Sequence, residues 1–245
     1  MCKNRRSYYE SYFEINCFYG DRIMKINKNY CFIFIFFIFF NISALSNSFS
    51  NLDPLSSIYN NMNLNSKLSY SAFKNAVNGL KQITSKKNNN ILTIVDFTKP
   101  STEERMYVID LDKNEVLLST HVSHGKGTGD LYAKKFSNRD GSYQSSPGFF
   151  LTGNIYNGKN GASLELFGLE KGINDNARKR NIVIHGADYA NPSFIKGNGR
   201  LGRSKGCLAV PFSVNQNLIN TIKNGTVFYV HIKDFDNREV KLNIN

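Results

Sequence analysis

Cysteine is almost missing from most of this chain. Of its four cysteines, Cys2, Cys17 and Cys31 fall within residues 1–46, and Cys207 stands alone in residues 47–245. An internal disulfide framework is thereby excluded from that longer stretch. Long apolar runs are lacking too. The longest, YCFIFIFFIFF at residues 30–40, falls short of the roughly 20 apolar residues a membrane-spanning helix needs. Acidic residues are scarce, with 19 Asp and Glu against 31 Lys and Arg. No zinc-finger spacing, Walker loop or RNP-like aromatic strand accompanies that excess, so charge alone does not argue for nucleic acid. Strand and helix patterns do not alternate, which argues against a doubly wound parallel sheet, and no internal repeat is visible. What remains is 41% hydrophobic and 13% aromatic, a composition that builds a packed core.

The apolar run at 30–40 follows Met24-Lys25-Ile26-Asn27-Lys28 and leads into Asn41-Ile42-Ser43-Ala44-Leu45-Ser46. A basic start, a short apolar centre and a small-residue exit read as a secretory signal peptide over 24–46, with a membrane anchor as the competing reading. Met24 reads as the better initiator, leaving 1–23 as an upstream extension that reflects start-site choice. Cys31 opens the apolar centre instead of following a small-residue box, so lipid attachment there is not expected. Residues 1–46 hold six Lys or Arg and three Asp or Glu, so the remainder keeps a surplus of nine positive charges. For an exported chain in the periplasm or cell wall, the anionic envelope is the natural neighbour of that surplus. No stable membrane anchor is expected once the signal is cleaved.

Residues 47–66 are rich in Asn and Ser and read as a loosely ordered lead-in. From Leu68, the residues Ala72, Phe73, Ala76, Val77, Leu80 and Ile83 recur on one helical face, and the polar stretch 85–90 ends that helix. A catalytic domain is placed at 91–245, after a lead-in and helix over 47–90. There the pattern turns to short β-forming runs: ILTIVDF from 91, MYVIDL from 106, EVLLSTHV from 115, GFFLTG from 148, SLELFG from 163 and NIVIHG from 181. Asp112-Lys113-Asn114 predicts a hairpin between the second and third. Ser213-x-x-Gln216 reads as a capping box opening a helix through Lys223, with Gly225 closing it. TVFYVHI and REVKLNI complete about eight strands. The expected architecture is mainly β, a sandwich or barrel with a short helical N-terminal segment and a small helix after Cys207.

Cys207 lies in Ser204-Lys205-Gly206-Cys207, which is flexible, polar and basic, the kind of setting that makes a thiol reactive. A buried cysteine acting as a small hydrophobe is the alternative. His185 ends the apolar strand 181–184, and a loop joins it to Cys207. A cysteine nucleophile needs an imidazole to take its proton and return it to a leaving amine. The backbone N–H groups of Gly206 and Cys207 are candidates to meet a developing oxyanion. On spacing alone, the pairing of this His with this Cys stays open.

The surrounding blocks are more specific. IHGADY and GRLGRSKGCLAVP, together with LTIVDFTKPSTEERMYVIDL, VSHGKGTG, FSNRDGSYQSSPGFFLTG and GLEKGINDNARKRNIVIHGA, resemble the YkuD-type L,D-transpeptidases, specifically the murein L,D-transpeptidase catalytic-domain family. The resemblance covers about residues 70–232. It implies a YkuD-like β fold with a cleft at one end of the sheet, Cys207 as nucleophile and His185 as general base. It also implies an acyltransferase acting on peptidoglycan stem peptides: a tetrapeptide donor loses D-Ala to form a thioacyl enzyme, which is passed to an amine. With water as acceptor the same site is an L,D-carboxypeptidase. No cofactor or metal is implied.

The chain departs from relatives that carry Ser/Thr-His-Gly-Cys, since Lys205 stands where they have histidine, and Ala209 stands where many have Arg or Asn. Arg200 and Arg203 are candidates for gripping substrate carboxylates, with Ser204, His124 and Gly186 as further substrate-binding candidates and Lys205 as a cation for the thiolate. Two other readings remain. A non-catalytic peptidoglycan-binding module would keep the fold without the chemistry. A sortase-like enzyme would need a Thr-x-Thr-Cys strand end, which is absent. His121-x-x-His124 offers two metal ligands without a third and reads as loop or strand surface. His231 alternates with Val227 and Tyr229 as an ordinary strand residue. Ser145-Ser146-Pro147-Gly148 reads as a turn.

Overall fold

The computed structural model describes residues 18–19, 22–23, 53–87 and 90–242. The expected upstream extension and the signal peptide over 24–46 lie outside the described residues, save a two-residue antiparallel hairpin, β1 (Phe18–Tyr19) with β2 (Arg22–Ile23). Contacts divide the chain into two units, Met1–Asp53 and Pro54–Asn245. Among the described residues no helix is long and apolar enough to cross a membrane.

The second unit is built on one eight-stranded sheet. Its strands are β3 (Ile91–Asp96), β4 (Met106–Asp110), β5 (Glu115–Thr120), β6 (Gly148–Gly158), β7 (Gly161–Gly168), β8 (Val183–Gly186), β9 (Leu208–Val210) and β10 (Val227–His231). They lie in the order β5-β4-β3-β10-β6-β7-β8-β9. Two pairings are parallel, β3 with β10 and β8 with β9, and the rest antiparallel. Just past β5, Ser123 donates its N–H to Ala209 O of β9 at 2.7 Å. The two edge strands therefore meet, and the sheet is a nearly closed barrel with no long unpaired edge.

Both faces of the central strands are covered, which explains why they read as apolar runs and not as alternations. Phe228 and Val230 of β10 face a core that includes Val95, Met106, Phe150, Leu164 and Ile184. Their neighbours Val227 and Tyr229 face a second core with Leu92, Ile94, Tyr107 and Phe149. Helices cover both cores. Helix α2 (Tyr70–Gln82), following α1 (Pro54–Asn61), lays Ala72, Phe73, Ala76, Val77 and Leu80 on the second core. Its N-cap Ser69 accepts from Ala72 N–H, and the Ser69 N–H donates to Asp96 Oδ2 at 3.0 Å, tying the helix start to the end of β3. Helix α4 (Phe212–Ile222) lays Leu218, Ile219 and Ile222 on the first core.

Four expectations need correction. Residues 54–61, read as loosely ordered, form α1, whose Tyr59 is buried in the second core. Ser213 is no cap: α4 starts at Phe212 after Pro211, with no side-chain capping bond. The segment REVKLNI forms no strand over its described residues 238–242; the eighth strand of the sheet is instead Leu208–Val210. A strand–helix–strand unit does exist. β8 and β9 are parallel and are joined through α3 (Pro192–Asn198), because parallel neighbours need a crossover of about a dozen residues or more. Asn191 caps α3 by accepting from Ser193 N–H at 3.0 Å, and Gly199 closes it at φ 66°.

One close approach sets a test of the second core. A methyl group on Gly79 of α2 would stand 2.1 Å from Cζ of Phe149. Phe149 is fully buried and stacks on Tyr229 at 4.2 Å, so it has nowhere to move. Alanine would gain about 1 kcal/mol in helix propensity, but overpacking a tight core costs about 1–3 kcal/mol. Gly79→Ala is expected to lower the urea midpoint, whereas a raised midpoint would show a core loose enough to absorb the methyl.

Candidate active site

The parallel β8–β9 ladder pairs Ile184 with Leu208, His185 with Ala209 and Gly186 with Val210. Paired residues in adjacent strands present side chains to the same face, and so do residues two apart along one strand. Cys207 is the residue immediately before β9, two before the Ala209 that pairs with His185, and its Sγ is bonded to Asn181 O, with no hydrogen bond to the imidazole among the described residues. The crossover through α3 carries the chain from the end of one strand back to the start of the other, which brings residues distant in sequence onto neighbouring strands.

Hydrogen bonding sets the tautomer of His185. Its Nδ1 lies 2.9 Å from Gly186 O, and a nitrogen facing a carbonyl must carry the proton. Nε2 is then left with its lone pair. The ring is 3% exposed, and burial lowers its pKa below the ordinary histidine value, partly opposed by the Gly186 carbonyl. His185 is therefore a neutral imidazole, the form a general base requires.

Cys207 is half-buried and is the free cysteine of the described residues. Its Sγ donates to Asn181 O at 3.3 Å. Burial raises its pKa, while the Val183 N–H and the Arg180 guanidinium act in the opposite direction. Thiol and imidazole are thus both neutral, with the thiol resting on a carbonyl until a proton is taken from it.

The turn before Cys207 is tightly held. Gly206 has φ 130°, and a Cβ there would lie 3.0 Å from Gln144 O and 2.9 Å from Ile182 Cδ1, so only glycine fits. Ser204 Oγ donates to Cys207 O at 2.7 Å and accepts from Gly206 N–H at 2.9 Å. Of the two expected oxyanion donors, the Gly206 N–H is bonded within the turn to Ser204 Oγ, and the Cys207 N–H lies against its own Sγ. The hydroxyl proton of Ser204 is committed as well. Ser145, read as a turn residue, braces the same place from outside, accepting from Gly125 N–H at 3.0 Å and donating to Gly206 O at 2.9 Å.

The other expected residues fall in different surroundings. Arg203 donates to Asp130 Oδ1 at 2.7 Å, and Arg200 Nε lies 3.6 Å from the same oxygen. Arg203 also lines a cavity of about 390 Å³ with Lys126, Lys134 and Lys135, which opens beside the turn before Cys207, where Lys126 N–H donates to Ser204 O at 2.8 Å. Gly186 is packed under Phe212, whose ring stands 2.4 Å from where a Cβ would be. Lys205 is exposed at the apex of the turn.

His124 is not a surface residue. It is 1% exposed, with Arg105 Nη2 donating to its Nδ1 at 2.8 Å and its Nε2 facing Gly129 O at 3.2 Å. Arg105 is fully buried, bonded also to Val122 O and Lys99 O and lying over the Phe97 ring at 4.8 Å. Burial lowers the Arg105 pKa to about 9 against the opposing pull of Asp96. His121 is separate, its Nε2 facing Thr102 O at 3.1 Å. His231 is fully buried between Tyr229 and Asp236. No group of three His, Cys, Asp or Glu side chains comes together among the described residues.

A nearly closed barrel carrying a neutral histidine on β8 and a free cysteine at the entry to β9 holds the two kinds of side chain that one class of covalent acyltransfer sites uses. The comparisons with known proteins agree with that class. A family profile described as the L,D-transpeptidase catalytic domain matches residues 64–231. The chain belongs to the L,D-transpeptidase catalytic-domain family. Solved structures similar to it include an L,D-transpeptidase from Mycobacterium smegmatis, at 13% identity over 58% of this chain and 59% of that one, with a TM-score of 0.37. The helical cell shape determining protein from Campylobacter jejuni matches at 14% identity over 65% of this chain and 57% of that one, with a TM-score of 0.42. An Enterococcus faecium L,D-transpeptidase matches at 17% identity over 58% of this chain and 50% of that one, with a TM-score of 0.36. The chain thus spans between a half and three fifths of the length of these structures. No curated protein matches it.

The buried histidines predict an acid-labile fold. The pKa of His124 is lowered from 6.5 to about 3, chiefly by burial and then by the Arg105 charge. The unfolded chain takes up this proton near pH 6.5 and the folded chain does not, so stability is full above that pH and falls as pH drops toward 3. By pH 5 this one residue removes about 2 kcal/mol, and His185 acts in the same direction. His124→Asn, which keeps an acceptor for Arg105, is expected to flatten the loss in urea midpoint between pH 7 and pH 5. An unchanged slope would show that His124 titrates normally.

Proposed function

We propose that this protein is an exported L,D-transpeptidase that uses Cys207 as nucleophile and His185 as base. The observation that supports this reading is that His185 on β8 and Cys207 at the entry to β9 belong to one parallel strand pair, with the histidine held in the tautomer that leaves Nε2 free. Export rests on the signal-peptide pattern at 24–46.

In the proposed reaction Nε2 of His185 takes the thiol proton from Sγ. The thiolate attacks the carbonyl at the L-centre of the third, diamino acid residue of a tetrapeptide stem. The oxyanion is met by the Cys207 N–H, the expected donor that Ser204 does not occupy. Collapse breaks the bond to the terminal D-Ala, whose amine leaves with the proton from the imidazolium. The side-chain amine of a second stem then attacks the thioester, gives its proton to His185 and releases Cys207, forming a three-to-three cross-link. Arg203, which pairs with Asp130 beside the lysine-lined cavity, would exchange that pair for a carboxylate of one of the two stems. With water in place of the amine, the same steps give an L,D-carboxypeptidase.

The test is intact mass of the purified protein after incubation with a disaccharide-tetrapeptide, and separately with a carbapenem. An adduct equal to the stem less D-Ala, absent from Cys207→Ala, is expected. His185→Gln should slow its formation by a factor of about 10² to 10⁴. Product analysis then separates cross-linking from hydrolysis. A folded protein with a titratable thiol that forms neither adduct would point to a peptidoglycan-binding module instead.

A further inference from the structure

Arg180 was not among the residues that motif and spacing singled out, yet it is the most heavily engaged cation near the nucleophile. It lies in the segment that feeds β8, and its guanidinium is clasped by the loop 137–146. Nη1 donates to Ser137 O and Ser146 Oγ, both at 2.6 Å, and Nη2 donates to Gln144 O at 2.6 Å and Ser142 Oγ at 3.2 Å. Its Nε is buried and has no partner among the described residues. A side chain held by four bonds in this way is not free to reach out for substrate.

The groups on either side of Arg180 bear directly on Cys207. The carbonyl of Asn181, the next residue, receives the Cys207 thiol. Asn181 has φ 55°, a left-handed conformation that turns the chain there. The Gln144 carbonyl bound by Arg180 is the same atom that packs against Gly206, and the intervening Ser145 donates to Gly206 O. Arg180 therefore fixes two of the walls around the nucleophile and brings a permanent positive charge to them.

We infer that Arg180 is the positioning residue of the site, holding the walls around Cys207 and supplying the cation that stabilises its thiolate where the expected motif histidine is replaced by Lys205. The inference rests on the transpeptidase reading, in which that thiolate is the nucleophile. The mutual electrostatics support it. The Arg180 charge lowers the Cys207 pKa, and the cysteine, with Asp140, raises that of Arg180 against its burial. The other titratable groups around Cys207 are His185, neutral, and Tyr189, whose pKa is pushed up to about 12 by burial and then by Cys207. Lys205 is exposed at the apex of the turn and is not among the charges acting on the thiol.

The experiment is the pH profile of Cys207 alkylation by iodoacetamide, read on the tryptic peptide that carries Cys207 so that the other cysteines do not interfere. It needs no substrate, and so fails or succeeds independently of acyl-enzyme formation. Arg180→Gln is expected to shift the profile up by about one unit and slow alkylation at pH 7 about tenfold, with Lys205→Gln within about twofold of the parent, as for an exposed charge. A folded Arg180→Gln protein with the parent profile, or a Lys205→Gln protein with the tenfold loss, would overturn the inference. Should Arg180→Gln fail to fold, Arg180→Lys decides. A profile near the parent's supports the charge role, and one raised by a full unit contradicts it.

Discussion

The site depends on one parallel strand pairing. β9 is only three residues long, yet it is held on both sides, by β8 along one edge and by Ser123 on the other. Its register against β8 decides which side chains share a face with His185. A slip of one residue would turn the side chains of β9 to the opposite face. The contacts around Cys207 keep that register and shape the turn that precedes it. Ser204 closes the turn from inside, Ser145 braces it from outside, and the absence of a side chain at Gly206 lets the Gln144 backbone approach.

Behind the site lies an unusual amount of buried polarity. Arg105 is a charge inside the protein, tolerated because Val122, Lys99, His124 and the Phe97 ring surround it. Leaving such an ion without its partners costs several kcal/mol. His124 passes that constraint on to the Gly129 carbonyl, in the loop that also carries Lys126 and Asp130. Asp96 plays a comparable part at the end of β3, accepting from Ser69, Thr98 N–H and Thr98 Oγ1. The helical layer and the loops at the mouth of the barrel are thus tied to the sheet by polar contacts, and apolar packing fills the space between.

Much of this was legible in the sequence. Strands β3, β4, β5, β6, β7, β8 and β10 follow β-forming runs, and α2 follows an amphipathic period whose buried residues are those expected. What escaped had little apolar signal. Helix α3 buries none of its residues, so no stripe betrays it, although Asn191-Pro192 and Gly199 carry start and stop signals. β9 is too short for a pattern to show, and its neighbours are chosen by tertiary contact. REVKLNI has the composition of a strand but no free edge to join, because Ser123 and β9 have already closed the barrel. In the site, the blocks that resemble the family place His185 and Cys207. They could not show that the Gly206 N–H is bonded to Ser204, or that Arg180 is held by the loop 137–146. Those facts follow from hydrogen bonds between segments far apart in sequence.

The central claim is that Cys207 forms the covalent intermediate within a turn whose oxyanion donor is its own N–H. A crystal structure of the carbapenem-treated protein tests this most directly. The account predicts a thioester on Sγ of Cys207, its carbonyl oxygen within hydrogen-bond distance of the Cys207 N–H, and the Gly206 N–H still on Ser204. An acyl group on another residue, or an oxygen held by Gly206 with Ser204 displaced, would contradict it.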